Sequence, residues 1–249
     1  MAVYLGSQKI DNYKKILIES LDLEDALINR TLSSYIDNSC TIIRKGCFAT
    51  CYNLSIIECI NCSRIDSYGF YRCSGLTSIN FPECTYINNS AFQYCSNLTS
   101  ANFPKCTDIG NYAFYQCSHL ITANFLNCTN IGDYAFGYCS ILTSVSFPNC
   151  TAIGSYAFCR CSNLTSVSFP SCNNIENNAF GNCYNLISVN LIGISSVPIL
   201  SNTTFSSTPI GDYSTSAGQY GSVYVPASLY SSFLTATNWS SISSHIVSV

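Results

Sequence analysis

Charged side chains are scarce in this sequence of 249 residues. Asp, Glu, Lys and Arg make up 9% of it, against about 25% in an average globular protein, and the formal net charge is −3. A protein that tracks nucleic-acid phosphates needs a basic surface, so nucleic acid is excluded as an expected partner. The hydrophobic content of 47% excludes a disordered chain, because such chains have few apolar residues.

Long apolar runs are absent as well. No stretch of the sequence approaches the roughly 18 consecutive apolar residues that indicate a membrane-spanning helix. After Met1, the polar residues Ser7 and Gln8 come before any apolar segment of the length found in signal peptides. The sequence therefore predicts neither a membrane span nor a signal peptide.

Cysteine, by contrast, is abundant, with 17 residues, and it is periodic. Two series each advance by 22 residues, and the members of one lie midway between those of the other. The two series are Cys51, Cys73, Cys95, Cys117, Cys139, Cys161 and Cys183, and Cys40, Cys62, Cys84, Cys106, Cys128, Cys150 and Cys172. Leucine, phenylalanine and isoleucine repeat with the same period. A fixed period of about 20 to 50 residues indicates stacked supersecondary units, each too small to bury its apolar face alone.

One repeat unit runs from Cys139 to Arg160. Residues 142–147 have the pattern L-x-x-V-x-F, in which apolar side chains alternate with serines, and this predicts a short strand with one buried face. Pro148 ends the strand, because proline cannot donate to a ladder. Residues 153–158 are predicted to form the return path of the chain, as an irregular or short helical turn.

These motifs, L-x-x-V-x-F-P and I-G-x-Y-A-F-x-x-C, resemble the BspA-like class of leucine-rich repeats found in bacterial surface proteins. The resemblance implies a repeat solenoid, mainly β, with one short parallel strand per 22-residue rung on a concave face. The convex side would be irregular or short helical, and both ends would carry caps. The end rungs depart from the pattern: Cys59 and Leu191 replace the strand phenylalanine, and Cys47 and Gly69 replace the alanine of the turn.

Three segments are expected along the chain. Residues 1–31 would be an N-terminal capping segment, with a small hairpin over 3–10 and a short helix over 22–30; a docking segment is the alternative. Residues 32–193 would be the leucine-rich repeat solenoid. Residues 194–249 leave the 22-residue period and are expected to form a C-terminal cap of loop, strand, helix and strand, because an open solenoid end exposes strand edges and apolar interior.

The periodic cysteines are expected to be buried thiols that pack as small apolar side chains. Stacked residues of one column lie about 4.8 Å apart with parallel Cβ vectors, whereas a disulfide needs Cβ atoms about 3.8 Å apart. The alternative is a structural zinc site formed by Cys47, Cys51, Cys59 and Cys62, whose spacing suits zinc. All four occupy core columns, however, so the sequence predicts packing, with no metal and no other cofactor.

Groups that carry out catalysis do not converge in the sequence. The two histidines, His119 and His245, have no partner cysteines or carboxylates at a typical catalytic spacing. The carboxylates of the repeats are scattered over several columns and do not form a continuous series; they include Glu58, Asp66, Glu83, Asp108, Asp133 and Glu176. Since an enzyme needs convergent titratable groups, the sequence predicts no enzyme.

The resemblance implies a non-catalytic binding or adhesion module that presents its concave surface to a protein or glycan partner. The alternative is a structural or self-associating component of a larger surface or particle assembly, which low charge and a surface rich in Tyr and Ser would suit. A monomer at the cell surface or outside the cell is expected from the resemblance. A cytoplasmic location remains the alternative, because no signal peptide is predicted and reduced thiols are typical of the cytosol.

Two polar columns on the concave face are the predicted binding residues, since they flank the buried strand position and carry no charge. The columns are Ser78, Ser100, Thr122, Ser144, Ser166 and Ser188, and Asn80, Asn102, Asn124, Ser146, Ser168 and Asn190. Uncharged hydroxyl and amide groups form hydrogen bonds adaptably. Two alternatives remain: these groups only solvate the sheet, or the partner binds the convex tyrosines, since aromatic residues often anchor interfaces. Those tyrosines are Tyr68, Tyr112, Tyr134 and Tyr156.

The thiol prediction has a direct test. Titration of the purified protein with a thiol reagent, in denaturant and without reductant, should recover all 17 cysteines as reactive thiols, because stacked columns do not favour disulfides. A control sample reduced beforehand should give the same count. Recovery of far fewer thiols from the unreduced sample would show that the two series are cross-linked.

Overall fold

A computed structural model describes residues 32–211 and 219–249, together with the backbone of 3–5 and 8–10. The described residues form a parallel β-solenoid of about nine turns. The predicted repeat solenoid is therefore confirmed. Each rung is built from one strand of three residues, a second strand of two residues and a series of turns.

The three-residue strands form the first side of the solenoid. Each lies parallel to and in register with the next, so that Ser78 is opposite Ser100 and Ile79 is opposite Ala101. Their ladder is interrupted between Ile56–Glu58 and Ser78–Asn80, and again between Thr122–Asn124 and Ser144–Ser146. The strands are β3 Ser34–Ile36, β5 Ile56–Glu58, β7 Ser78–Asn80, β9 Ser100–Asn102, β11 Thr122–Asn124, β13 Ser144–Ser146, β15 Ser166–Ser168 and β17 Ser188–Asn190.

A second strand in each rung, which the repeat pattern did not reveal, forms an uninterrupted parallel sheet of eight strands. It consists of the residue before the repeated isoleucine and that isoleucine, as in Asp108 opposite Asn130 and Ile109 opposite Ile131. These strands are β4 Ile42–Ile43, β6 Arg64–Ile65, β8 Tyr86–Ile87, β10 Asp108–Ile109, β12 Asn130–Ile131, β14 Ala152–Ile153, β16 Asn174–Ile175 and β18 Ile199–Leu200.

The third side is the predicted irregular return path, and it too is held by backbone hydrogen bonds between rungs. Tyr112 N–H donates to the Asp133 carbonyl at 2.8 Å and Phe114 N–H to the Ala135 carbonyl at 2.7 Å. Between them, Ala113 N–H donates within its own turn to Gly110 at 3.3 Å. This alternation requires some residues to adopt the left-handed backbone conformation, such as Tyr112 with φ 59°. Residues other than glycine keep that conformation only when the surrounding structure holds them in it.

Columns of identical side chains fill the interior. Phe48, Phe70, Phe92, Phe114, Phe136, Phe158, Phe180 and Phe205 stack face to face, with ring centroids 5.0–5.7 Å apart. A second stack of Phe81, Phe103, Phe125, Phe147 and Phe169 runs beside the first. These rings are all buried. Aromatic pairs at such distances contribute about 0.5–1.5 kcal/mol beyond the burial of their area.

All seventeen cysteines lie in the described range 32–211, where they are buried thiols, as predicted. They are not only space-filling, because their S–H groups donate to backbone carbonyls. Cys95 Sγ donates to the Phe70 carbonyl at 3.1 Å, and Cys106 Sγ to the Asp108 carbonyl at 3.3 Å. The same bonds recur along both series. A thiol is the smallest apolar side chain that can also donate such a bond.

The stacking continues past residue 193, although the 22-residue period ends there. Ile199 lies opposite Asn174 and Leu200 opposite Ile175, a step of three residues more than in the other rungs. Phe205 extends the phenylalanine stack. Two further strands, β19 Ser222–Val225 and β20 Ile246–Ser248, extend the first side in parallel from β17.

The C-terminal residues contain the predicted strand, helix and strand. Helix α1 spans Tyr230–Thr235, between 3-10 turns at Ala227–Leu229 and Ser240–His245. The buried Trp239 ring packs 4.8 Å from Phe233 and 6.4 Å from Phe205, beside the last ring of the phenylalanine stack. This is the position of a cap, and the capping role of residues 194–249 stays a prediction.

At the N-terminus, β1 Val3–Leu5 pairs antiparallel with β2 Gln8–Ile10, which confirms the predicted hairpin. The predicted helix over 22–30 lies outside the described residues. The capping role of residues 1–31 likewise stays a prediction.

The buried thiols predict alkaline unfolding. Burial raises the pKa of Cys62 to about 11 and that of Cys95 to about 12, from an ordinary value of 9.0. Burial also raises the pKa of five further thiols, those of Cys106, Cys117, Cys128, Cys139 and Cys161. Above pH 9 the unfolded chain therefore loses thiol protons that the folded chain keeps, so the free energy of unfolding falls as pH rises, by about 1.4 kcal/mol per pH unit for each thiol.

Urea unfolding followed by circular dichroism at about pH 7, 9 and 10 measures this fall, because the number of titrating thiols sets the slope. The variant Cys159→Gly carries the residue found at Gly137 and Gly181 in the same column. Its free energy of unfolding should fall less steeply with pH than that of the native protein. A free energy of unfolding that stays constant from about pH 8 to 10 would contradict the burial of these thiols.

Candidate binding surface on the concave face

The concave face is the outward surface of the three-residue strands β3 to β17, and it carries all twelve predicted binding residues. In each strand the middle residue points into the core, and its two neighbours are exposed or half-buried. Strand register places like residues side by side, as with Ser144 beside Ser166 and Ser146 beside Ser168. The structure therefore brings the two predicted columns together on one surface. Whether they bind a partner remains a prediction.

Three of the predicted residues also bond to one another. Asn102 Nδ2 donates to Asn80 Oδ1 at 2.6 Å, and Asn124 Nδ2 donates to Asn102 Oδ1 at 2.7 Å. We call Asn80, Asn102 and Asn124 the asparagine ladder. Each amide still has donor and acceptor capacity left, because an amide group has two N–H donors and two lone pairs. The ladder therefore stabilises the stack and also presents fixed amide groups to solvent.

A shallow pocket of about 550 Å³ lies on the concave face over β11, β13, β15 and β17. Eight of the predicted residues line it: Thr122, Asn124, Ser144, Ser146, Ser166, Ser168, Ser188 and Asn190. Two exposed aliphatic residues, Ile121 and Leu126, line the same pocket, with 46% and 52% of their surface exposed. No charged residue is among the described residues that line it. The pocket therefore combines neutral hydrogen-bonding groups with exposed apolar surface.

The constant columns of the sequence do not predict Ile121 and Leu126 as site residues. Ile121 occupies the column that holds Thr99 and Thr143 in the neighbouring rungs, and Leu126 occupies the column of Pro104 and Pro148. Both are departures from the repeat that expose an aliphatic side chain where the repeat has a polar or turn-forming one. Departures of this kind were the signal available in the sequence, because packing does not require them.

A second pocket, of about 480 Å³, lies on the same face over β5 and β7. It is lined by Ile56 and Ile60, with 50% and 45% of their surface exposed, and by Glu58. Ile60 stands in the same proline column as Leu126. The two pockets lie at the two interruptions of the strand ladder, so both places where the face departs from regular pairing carry exposed aliphatic residues.

The convex tyrosines form a surface of their own. Tyr112, Tyr134 and Tyr156 stack nearly parallel, with ring centroids 4.9 and 4.6 Å apart, and Tyr68 packs edge-on against Tyr71 at 5.6 Å. Desolvation by burial raises the pKa of Tyr134. Because the stacked rings cover one another's faces, mainly ring edges and hydroxyl groups remain available to a partner.

Both histidines lie against backbone carbonyl oxygens. His119 Nδ1 lies 2.7 Å from the Ser96 carbonyl oxygen, and His245 Nδ1 lies 2.8 Å from the Gly221 carbonyl oxygen. In the described ranges no cluster of three or more His, Cys, Asp or Glu could hold a metal ion, so the zinc alternative gains no support there. Among the described helices, none has the length and apolar character that a membrane span needs.

Comparison with known proteins agrees with this geometry. The sequence matches the family described as the BspA type leucine-rich repeat region, with six copies, over residues 28–143 and 129–220. No curated protein sequence matches the chain. Among solved structures, the leucine-rich repeat protein of T. pallidum aligns with a TM-score of 0.52 at 22% identity, over 68% of this chain and 78% of its own.

The pneumococcal vaccine antigen PcpA aligns with a TM-score of 0.51 at 13% identity, over 86% of this chain and 65% of its own. At these identities both likenesses concern the fold alone. The family match is the stronger finding, because it covers most of the chain and the rungs that carry both pockets. This chain belongs to the BspA type of leucine-rich repeat proteins.

Proposed function

We propose that this chain is a non-catalytic binding module that receives a protein or glycan partner on its concave face. One observation carries the proposal: the pocket over β11 to β17 exposes Ile121 and Leu126 amid neutral hydroxyl and amide groups. Membership of a repeat family found in bacterial surface proteins supports a location at the cell surface. The module is proposed to act as a monomer.

The physical chemistry of the pocket favours binding over mere solvation of the sheet. A sheet face that only meets water gains nothing from exposed aliphatic side chains, and covering a large one contributes roughly 1.5–3 kcal/mol. Hydroxyl and amide groups around it can pair with a partner without the cost of burying a charge. The convex tyrosines offer less, because stacking already covers their ring faces.

The double variant Ser146→Lys/Ser168→Lys tests the proposal, because it places two charges in the pocket and leaves the asparagine ladder intact. Ligands are first selected with the native protein on a glycan array and on a phage-displayed peptide library. Biolayer interferometry then compares their affinities. We expect the variant to bind these ligands at least about tenfold more weakly, since burying an unpaired charge is costly.

The matched control is Asn130→Lys/Asn173→Lys, which adds the same charge to exposed positions outside the pocket lining. It should bind like the native protein, and circular dichroism should show the native fold in both variants. Ligands that bind the pocket variant and the native protein equally would reject the concave site and favour the tyrosine surface.

A further inference from the structure

The two pockets of the concave face are formed in the same way: in each, aliphatic side chains stand where most rungs carry a polar residue or proline. Ile60 and Leu126 both stand in the proline column, with Pro82 and Pro104 between them. They are therefore three rungs apart. Since neighbouring strands lie about 4.7–4.9 Å apart, the two side chains are separated by about 14 Å along the solenoid axis.

This separation matches a period of the extended polypeptide chain. A strand rises about 3.3 Å per residue and alternate side chains share a face, so residues four apart lie about 13 Å apart on the same side. Residues three apart point to opposite faces. Two apolar side chains four residues apart in an extended peptide would thus reach both pockets at once.

The surface between the pockets suits a peptide backbone. The asparagine ladder spans this interval, from Asn80 in the lining of the first pocket to Asn124 in the lining of the second. Its amide groups have unused hydrogen-bond donors and acceptors. The N–H and C=O groups of a peptide backbone can form hydrogen bonds with them. A sugar ring would instead favour an aromatic platform, and no aromatic residue is among the described residues that line either pocket.

The two pockets differ in charge, which would fix the direction in which a peptide binds. Glu58 is exposed in the first pocket, and no described residue forms an ion pair with it. The nearby charges of Lys105 and Glu83 neutralise each other, since Lys105 Nζ lies 2.7 Å from Glu83 Oε2. The second pocket has no charged lining residue in the described range. A basic residue next to the first apolar anchor would therefore find a complementary carboxylate.

We infer that the partner of the concave face is an extended peptide segment lying along the solenoid axis, with two aliphatic side chains four residues apart and a basic residue beside the first. The first aliphatic side chain contacts Ile56 and Ile60, and the second contacts Ile121 and Leu126. The inference rests on the proposed function and narrows its partner from protein or glycan to a peptide of stated pattern.

A synthetic peptide tests the inference. The probe is a fluorescein-labelled chain of serines and threonines that carries two leucines four residues apart and a lysine next to the first leucine. Fluorescence anisotropy should show saturable binding to the native protein. A peptide with the leucines three residues apart should bind at least about tenfold more weakly, because one leucine then faces solvent.

Protein variants that restore the repeat residue locate the contacts while keeping the fold. Leu126→Pro restores the residue of Pro104 and Pro148, and Ile56→Ser restores that of Ser78 and Ser100. Each should weaken binding at least about tenfold. Glu58→Asn, which continues the asparagine column, should weaken binding of the lysine peptide and leave a serine-substituted peptide unaffected.

The matched control is Ile199→Asn, which removes an aliphatic side chain that is 73% exposed on the two-residue strands and restores the residue of Asn174. It should bind the peptide like the native protein. Absence of peptide binding, equal binding of the two leucine spacings, or native affinity of Leu126→Pro would each overturn the inference. If glycans then bind and Ser146→Lys/Ser168→Lys abolishes their binding, the proposed function stands and the peptide does not.

Discussion

The structure depends on one constraint: every residue must pack against its own counterpart in the rungs above and below. Flat rings satisfy it by stacking, and they form the two phenylalanine columns. Asparagine satisfies it by donating to the next asparagine. Cysteine satisfies it differently, because its S–H group bonds to a backbone carbonyl and its small size leaves room for the next cysteine. A charged side chain fails the test, since like charges about 5 Å apart repel, and this explains why charge is scarce in the rungs.

Much of the fold could be predicted from the sequence, because this constraint requires the same residue type at the same position of successive rungs. The period, the buried columns and the strand around Val145 all follow from residues that recur at fixed spacing. The second strand, as in Asp108–Ile109, could not be predicted, because only two residues form it and one of them varies. The stacking beyond residue 193 could not be predicted, because the rung there is three residues longer than the others. Phe205 still stacks on Phe180, but the 22-residue period of the sequence is lost.

The candidate site divides in the same way. Polar columns such as Ser144 and Ser166 could be placed on one face from the alternation of the strand alone. The pockets could not, because they depend on single departures at Ile121, Leu126, Ile56 and Ile60 and on interruptions of backbone pairing between particular rungs. A repeat pattern predicts what the rungs share, whereas a recognition surface is made by what distinguishes them.

The hydrogen-bond ladders of all three sides run parallel to the solenoid axis. A tensile force between the two ends would therefore load the interfaces between rungs one after another, and each interface would have to break as a unit. Every rung that peels away releases 22 residues, or roughly 75 Å of extended chain. Pulled from its ends, the protein would lengthen in nearly equal steps, as an extensible tether does.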